Sequence, residues 1–134
     1  MQTVTRYRGV ERVTGMQVAV CCPDAEEARR ICQIIEDTGA KVHQSVDAVT
    51  FSSEAALWRA FLPGCFRGAV IGFGDVQGFL CARKLREADS ACRVILLDDT
   101  DRYAIRGLRI HLSDFLVRPL EEARFRAAAE NLFN

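Results

Sequence analysis

Apolar and polar positions follow two rhythms along this chain. Met16 to Cys21 is a near-continuous apolar run of the kind buried on both faces of a parallel sheet. Gly68 to Phe73, Arg93 to Leu97 and Asp114 to Val117 repeat that signature, and Lys41 to Val46 alternates enough to be an edge strand. Between them lie stretches with helical periodicity. The firmest is Ala25 to Thr38, where Asp24 and Glu27 have capping-box spacing, Ala28, Ile31, Cys32 and Ile35 share a face, and Gly39 suits the left-handed position after the last turn.

The remaining helices follow the same logic. Ser52 or Ser53 caps a short helix carrying Ala55, Ala56, Trp58 and Leu62, stopped by Pro63-Gly64. Gly72, Gly74 and Gly78 mark a loop into a helix ending near Ala88, with Cys81, Leu85 and Ala88 on its inner face. Asp99 or Thr100 caps a helix in which Ile105, Leu108 and Leu112 recur despite Gly107. Leu120 to Phe133 makes a last helix with Phe125, Ala128 and Leu132 facing inward. Strands alternating with helices imply right-handed crossovers. The expected fold is α/β: a doubly wound, five-stranded parallel sheet of flavodoxin-like order 2-1-3-4-5, with helices on both faces.

Composition narrows the function classes. A chain of 134 residues, 49% hydrophobic, is about the size of one domain. Residues 16–134 are expected to form it. Residues 1–15 form an N-terminal extension whose Thr3-Val4-Thr5-Arg6-Tyr7-Arg8 is strand-like on an exposed edge or disordered. Lys+Arg and Asp+Glu balance at 18 each, which argues against nucleic-acid binding. Arg6, Arg8, Glu11 and Arg12 are wrong for a secretion signal, and no apolar run is long enough to span a bilayer, so a soluble, cytoplasmic chain without membrane contact is expected.

Cysteines at 21, 22, 32, 65, 81 and 92 contain no C-x-x-C pair and read as reduced thiols used as small hydrophobes. Cys21 and Cys22 point to opposite faces of a strand and supply too few ligands for a metal. His43 and His111 have no spaced partner and are expected on the surface. The glycines at 72, 74 and 78 make no nucleotide fingerprint.

In an open parallel sheet the binding crevice lies beyond the carboxyl ends of the strands. Here those ends carry Cys21 and Cys22, Gly72 to Asp75, Asp98 and Asp99, and Arg118. The segment Leu112-Ser113-Asp114-Phe115-Leu116-Val117-Arg118-Pro119-Leu120 resembles the last strand of a two-component response-regulator receiver domain, a CheY-like module. The resemblance covers Met16 to Phe133 and rests on pattern more than on identities.

The resemblance implies acidic metal ligands after the first strand, a phosphoacceptor aspartate after the third, a hydroxyl after the fourth and a lysine before a cis proline after the fifth. This chain has Cys21-Cys22, Gly72-Phe73, Asp98 and Arg118 instead. Magnesium wants oxygen ligands, which the thiols do not supply. A carboxylate at Asp98 repels a phosphoryl dianion. Asp75 is the acid nearest the acceptor position and is expected inside a shortened loop, with Gly78 matching the glycine that opens the third helix. Asp98 and Arg118 are expected to form a charge pair, and Arg118-Pro119 to be cis. Phe115 sits where receivers carry an aromatic that moves on activation, the alternative being an ordinary half-buried strand residue.

The expected function is that of a degenerate pseudo-receiver. It would be a signal-transduction module of the two-component type, non-enzymatic and without cofactor, acting through protein–protein contacts. Its interaction face would be helix four, strand five and helix five around Arg102, Arg106, Phe115 and Phe125, with Arg109 also on the solvent side. The resemblance implies a histidine kinase or an output protein as partner, or a homodimer through that face. No output domain follows Asn134, so docking is the expected output unless the chain belongs to a longer arrangement. Two rivals stand beside this reading. One is an atypical phosphorelay receiver with Asp75 as acceptor, Arg118 stabilising charge and Asp24 with Asp98 holding magnesium; the other is a small-ligand domain using the same crevice.

Overall fold

A computed structural model describes residues 15–134. Five strands, β1 (Met16–Cys21), β2 (Val46–Phe51), β3 (Gly68–Ile71), β4 (Arg93–Asp98) and β5 (Asp114–Val117), alternate with helices α1 (Ala25–Lys41), α2 (Glu54–Ala60), α3 (Asp75–Ala88), α4 (Ala104–Arg109) and α5 (Glu122–Glu130). All strand pairs are parallel and the order is β2-β1-β3-β4-β5, as expected. Because successive strand residues point to opposite faces, β1 feeds two cores: Val18, Val20 and Cys22 pack with α1 and α5, and Ala19 and Cys21 pack with α2 and α3. The first fourteen residues of the expected N-terminal extension lie outside the described residues. No described helix is long and apolar enough to cross a membrane.

Most element boundaries follow the sequence pattern, with instructive exceptions. The second strand is not Lys41 to Val46 but Val46–Phe51, because α1 runs through Gly39 to Lys41. Gly39 is not the left-handed stop. A β-carbon there would lie 2.5 Å from Val46 Cγ2, so its smallness serves close helix-to-strand packing. His43 (φ 61) takes the left-handed position, and Gln44 N–H donates to the Gly39 carbonyl. In α2, Ser53 is the cap and Leu57 the buried residue, whereas Leu62 lies beyond the helix and exposed.

The third helix begins at Asp75 rather than at Gly78, and its inner face is Gly78, Phe79, Cys81, Ala82 and Leu85, with Ala88 exposed. The fourth is shorter than expected and lacks a side-chain cap from Asp99 or Thr100. Its buried residue is Gly107, which lies against Leu112, while Ile105 and Leu108 are 71% and 75% exposed. Arg86 pins the far end of this helix by donating to the carbonyls of Ile110 and His111 as well as Ser90 and Cys92. Phe125, Ala128 and Leu132 face inward as read from the sequence. Phe125 is 0% exposed, so it belongs to the core and not to the interaction face.

Strand β5 is tied to α5 by two bonds from Arg124 to the Asp114 carboxylate, at 2.7 and 3.0 Å. Burial alone would raise the Asp114 pKa. The Arg124 bonds and the Phe115 N–H outweigh it and hold the carboxyl below its ordinary value near 3.8. A carboxyl more acidic in the folded than in the unfolded chain stabilises above the unfolded pKa and loses that contribution as pH falls through the folded one. Asp114→Asn is therefore expected to cost roughly 0.5–1 kcal/mol at about pH 7 and nearly nothing at about pH 2, read from urea midpoints at both.

Candidate functional site

At the carboxyl ends of β1 and β3, Cys21 lies fully buried on the α2/α3 side and Cys22 on the α1/α5 side. Burial pushes the Cys22 thiol up to about 12, with the Glu27 carboxylate adding to the effect, and burial pushes Cys21 upward too. Both are protonated, unreactive thiols at neutral pH. Gly72 follows β3 and donates its N–H to the Cys21 carbonyl at 2.7 Å. A β-carbon on Gly72 would meet Cys22 Sγ at 2.9 Å, Arg118 Nη2 at 3.1 Å and the Cys21 carbonyl oxygen at 3.2 Å. A side chain at position 72 would therefore crowd Cys22 and Arg118, which already fill the crevice.

Arg118 is the filler. Its guanidinium grips Glu27 at the first turn of α1, with Nη2 to Oε1 at 2.8 Å and Nε to Oε2 at 2.9 Å. It also donates to the Gly72 carbonyl at 2.8 Å and to Asp99 Oδ1 at 3.3 Å. The Arg118 and Glu27 side chains are only 21% and 14% exposed, so this two-pronged pair works in a partly dry setting. The Glu27 bonds raise the Arg118 pKa still further above its ordinary value. Arg118-Pro119 is cis, as expected.

The expected Asp98–Arg118 charge pair does not form; their one hydrogen bond is between main chains, Arg118 N–H to Asp98 carbonyl. Asp98 is 2% exposed, and its Oδ1 accepts from the N–H groups of Asp75 at 2.9 Å and Asp99 at 2.7 Å. Its Oδ2 is buried without a partner among the described residues. Gly74 (φ 82) and Asp75 (φ 57) both adopt left-handed backbone, which brings the start of α3 over the Asp98 carboxylate. Asp75 is not inside a loop. It is the first residue of α3, and its side chain bonds Arg102 at 2.8 Å.

The partner that sequence reasoning missed is Glu27. Its spacing from Asp24 suggested a capping box, and Asp24 Oδ1 does accept from the Glu26 and Glu27 N–H groups. The Glu27 carboxylate turns instead to Arg118. A signal was present: Glu27 lies four residues before Ile31 and so continues the buried stripe of α1, where an acid requires a counter-charge.

These residues do not fit the divalent cation that the resemblance implies. Thiols stand where the carboxylate ligands would be, Gly72 offers only its carbonyl, already bonded to Arg118, and Asp98 Oδ1 is engaged by two N–H groups. Asp24 is occupied with its cap. Among the described residues no cluster of three His, Cys, Asp or Glu side chains is placed to hold a metal ion.

On the expected interaction face, Arg102 and Arg106 both lie 5.6 Å from the Tyr103 ring, which stacks on Phe79. Phe115 is half-buried and lines a groove of about 290 Å³ with Ile105, Leu108 and Leu112. Arg109, His43 and His111 are exposed.

No protein-family model matches the sequence, and no curated protein matches it. Solved structures do. A response-regulator receiver domain from Clostridium thermocellum superposes with a TM-score of 0.72 at 18% identity, covering 89% of this chain and 94% of that one. The CpaE2 protein of Sinorhizobium meliloti, described as a putative pilus assembly protein, gives 0.64 at 22% identity over 88% and 100%. The Thermotoga maritima response regulator DrrB gives 0.66 at 18% identity; this chain spans 50% of its length. The fold is thus CheY-like, the architecture of receiver domains.

Proposed function

We propose that this chain is a receiver-like signalling module that works through protein contacts and does not take up a phosphoryl group. The observation that carries this reading is the Arg118 guanidinium, held by Glu27 and by the carbonyl of Gly72 in the place where a receiver would accept phosphate. Phosphoryl transfer needs an in-line nucleophile and positive charge around the transferred oxygens. Here β3 is followed by Gly72, which carries no nucleophile, the cation is already neutralised, and the buried Asp98 carboxylate repels an incoming anion. Asp75, the acid next after that position in the sequence, is engaged by Arg102.

Output then falls to the surface of α4, β5 and α5. Exposed Ile105, Leu108 and Val117 give it an apolar centre, and Arg106 and Arg109 a basic rim, a composition suited to a protein partner or to a second copy of the chain. Incubation with acetyl phosphate and magnesium, followed by intact mass measurement, tests the chemistry. The protein is expected to keep its mass. A labile phosphoryl adduct that disappears in Asp75→Ala would establish the rival, phosphotransferring reading.

A further inference from the structure

We infer that the Arg118 guanidinium is a tethered cation that stands in for a divalent metal ion, so that the strand-end crevice is organised without any bound ion. Four oxygens from three residues converge on this one group: Glu27 Oε1 and Oε2, the Gly72 carbonyl and Asp99 Oδ1, all within 3.3 Å of a guanidinium nitrogen. The set is all oxygen, drawn from α1 and from the residues that follow β3 and β4, and oxygen is the donor type a hard cation prefers. In this chain the positive charge arrives on a side chain, whose planar fork matches the Glu27 carboxylate edge to edge.

The substitution is coherent across the site. Gly72 leaves the space that Nη2 enters, since a β-carbon would stand 3.1 Å from it. Cys22 gives the same crevice an apolar wall in place of a ligand. Glu27 supplies from the helix the negative charge that β1 does not. Gly72 and Cys22 each withhold an oxygen side-chain ligand, and Gly72 at the same time leaves room for the arginine. A protein built this way should be indifferent to magnesium, and the oxygen ring should become a cation site when the guanidinium is taken away.

This inference deepens the proposed function but is tested without a phosphodonor, so either can fail alone. Thermal melts at matched ionic strength would compare wild type, Arg118→Met and the Arg118→Met/Glu27→Gln pair, with and without magnesium chloride. The wild-type midpoint is expected to move by less than about 1 °C. Arg118→Met should gain roughly 8 °C at magnesium a hundredfold above its dissociation constant, and the added Glu27→Gln should abolish that gain. A saturable gain in wild type would overturn the inference, as would a folded Arg118→Met no more responsive than wild type. If Arg118→Met does not fold, magnesium titration of wild type followed at the Gly72 and Asp99 amide resonances decides: unmoved peaks support the tethered cation, and saturable shifts overturn it.

Discussion

Arg118→Ala is expected to destabilise the domain by about 3 kcal/mol, measured as the shift in urea midpoint at neutral pH. The cost comes less from the lost bonds than from what stays behind. Glu27 would remain as a largely buried carboxylate without its partner, and the Gly72 carbonyl would lose its donor. The Asp99 contact contributes little, because that carboxylate is mostly exposed. Asp98→Ala, by contrast, should not couple to Arg118→Ala, since the two side chains share no bond.

Phe125→Ala is expected to cost about 3–5 kcal/mol, the range for removing a buried aromatic ring and leaving a cavity. Its ring lies fully inside the core formed by β1, β3, β4, β5, α1 and α5, a cluster that includes Ile31, Val70 and Leu116. Ile105→Ala on the exposed face of α4 should stay within about 0.5 kcal/mol of wild type. Thermal or urea unfolding of the two variants distinguishes core from docking surface. Near-equal effects would mean that the assignment of these faces is wrong.

Much of the fold was legible because parallel strands buried on both faces write themselves as apolar runs. Val18 to Cys21, Ala69 to Ile71 and Val94 to Leu97 could hardly be anything else. The misplaced second strand has a specific cause. It is an edge strand with little burial, and Gly39, which looks like a helix stop, instead packs closely against Val46. Backbone freedom and small size are different uses of the same residue, and only the packing tells them apart.

At the site, the positions at the strand ends were readable from topology, and the cis bond before Pro119 was implied by the resemblance to receiver domains. The pairing was not. Arg118 and Asp98 are close in the pattern, but the Asp98 carboxylate accepts from the N–H groups of Asp75 and Asp99, which leaves the guanidinium to Glu27, 91 residues away in the chain. Ile105 and Leu108 were ambiguous for a related reason. Helical spacing marks a stripe but not whether the core or a partner covers it, and in α4 the glycine faces inward.

A double-mutant cycle on Arg118 and Glu27, using Arg118→Ala, Glu27→Ala and the pair, measures whether these two side chains hold one another. If the crevice is closed by this internal ion pair, the coupling energy should be about 2 kcal/mol, with the double variant more stable than the sum of the single losses implies. A coupling indistinguishable from zero would mean that Arg118 and Glu27 do not hold one another, and would contradict the proposal that an internal ion pair closes the crevice.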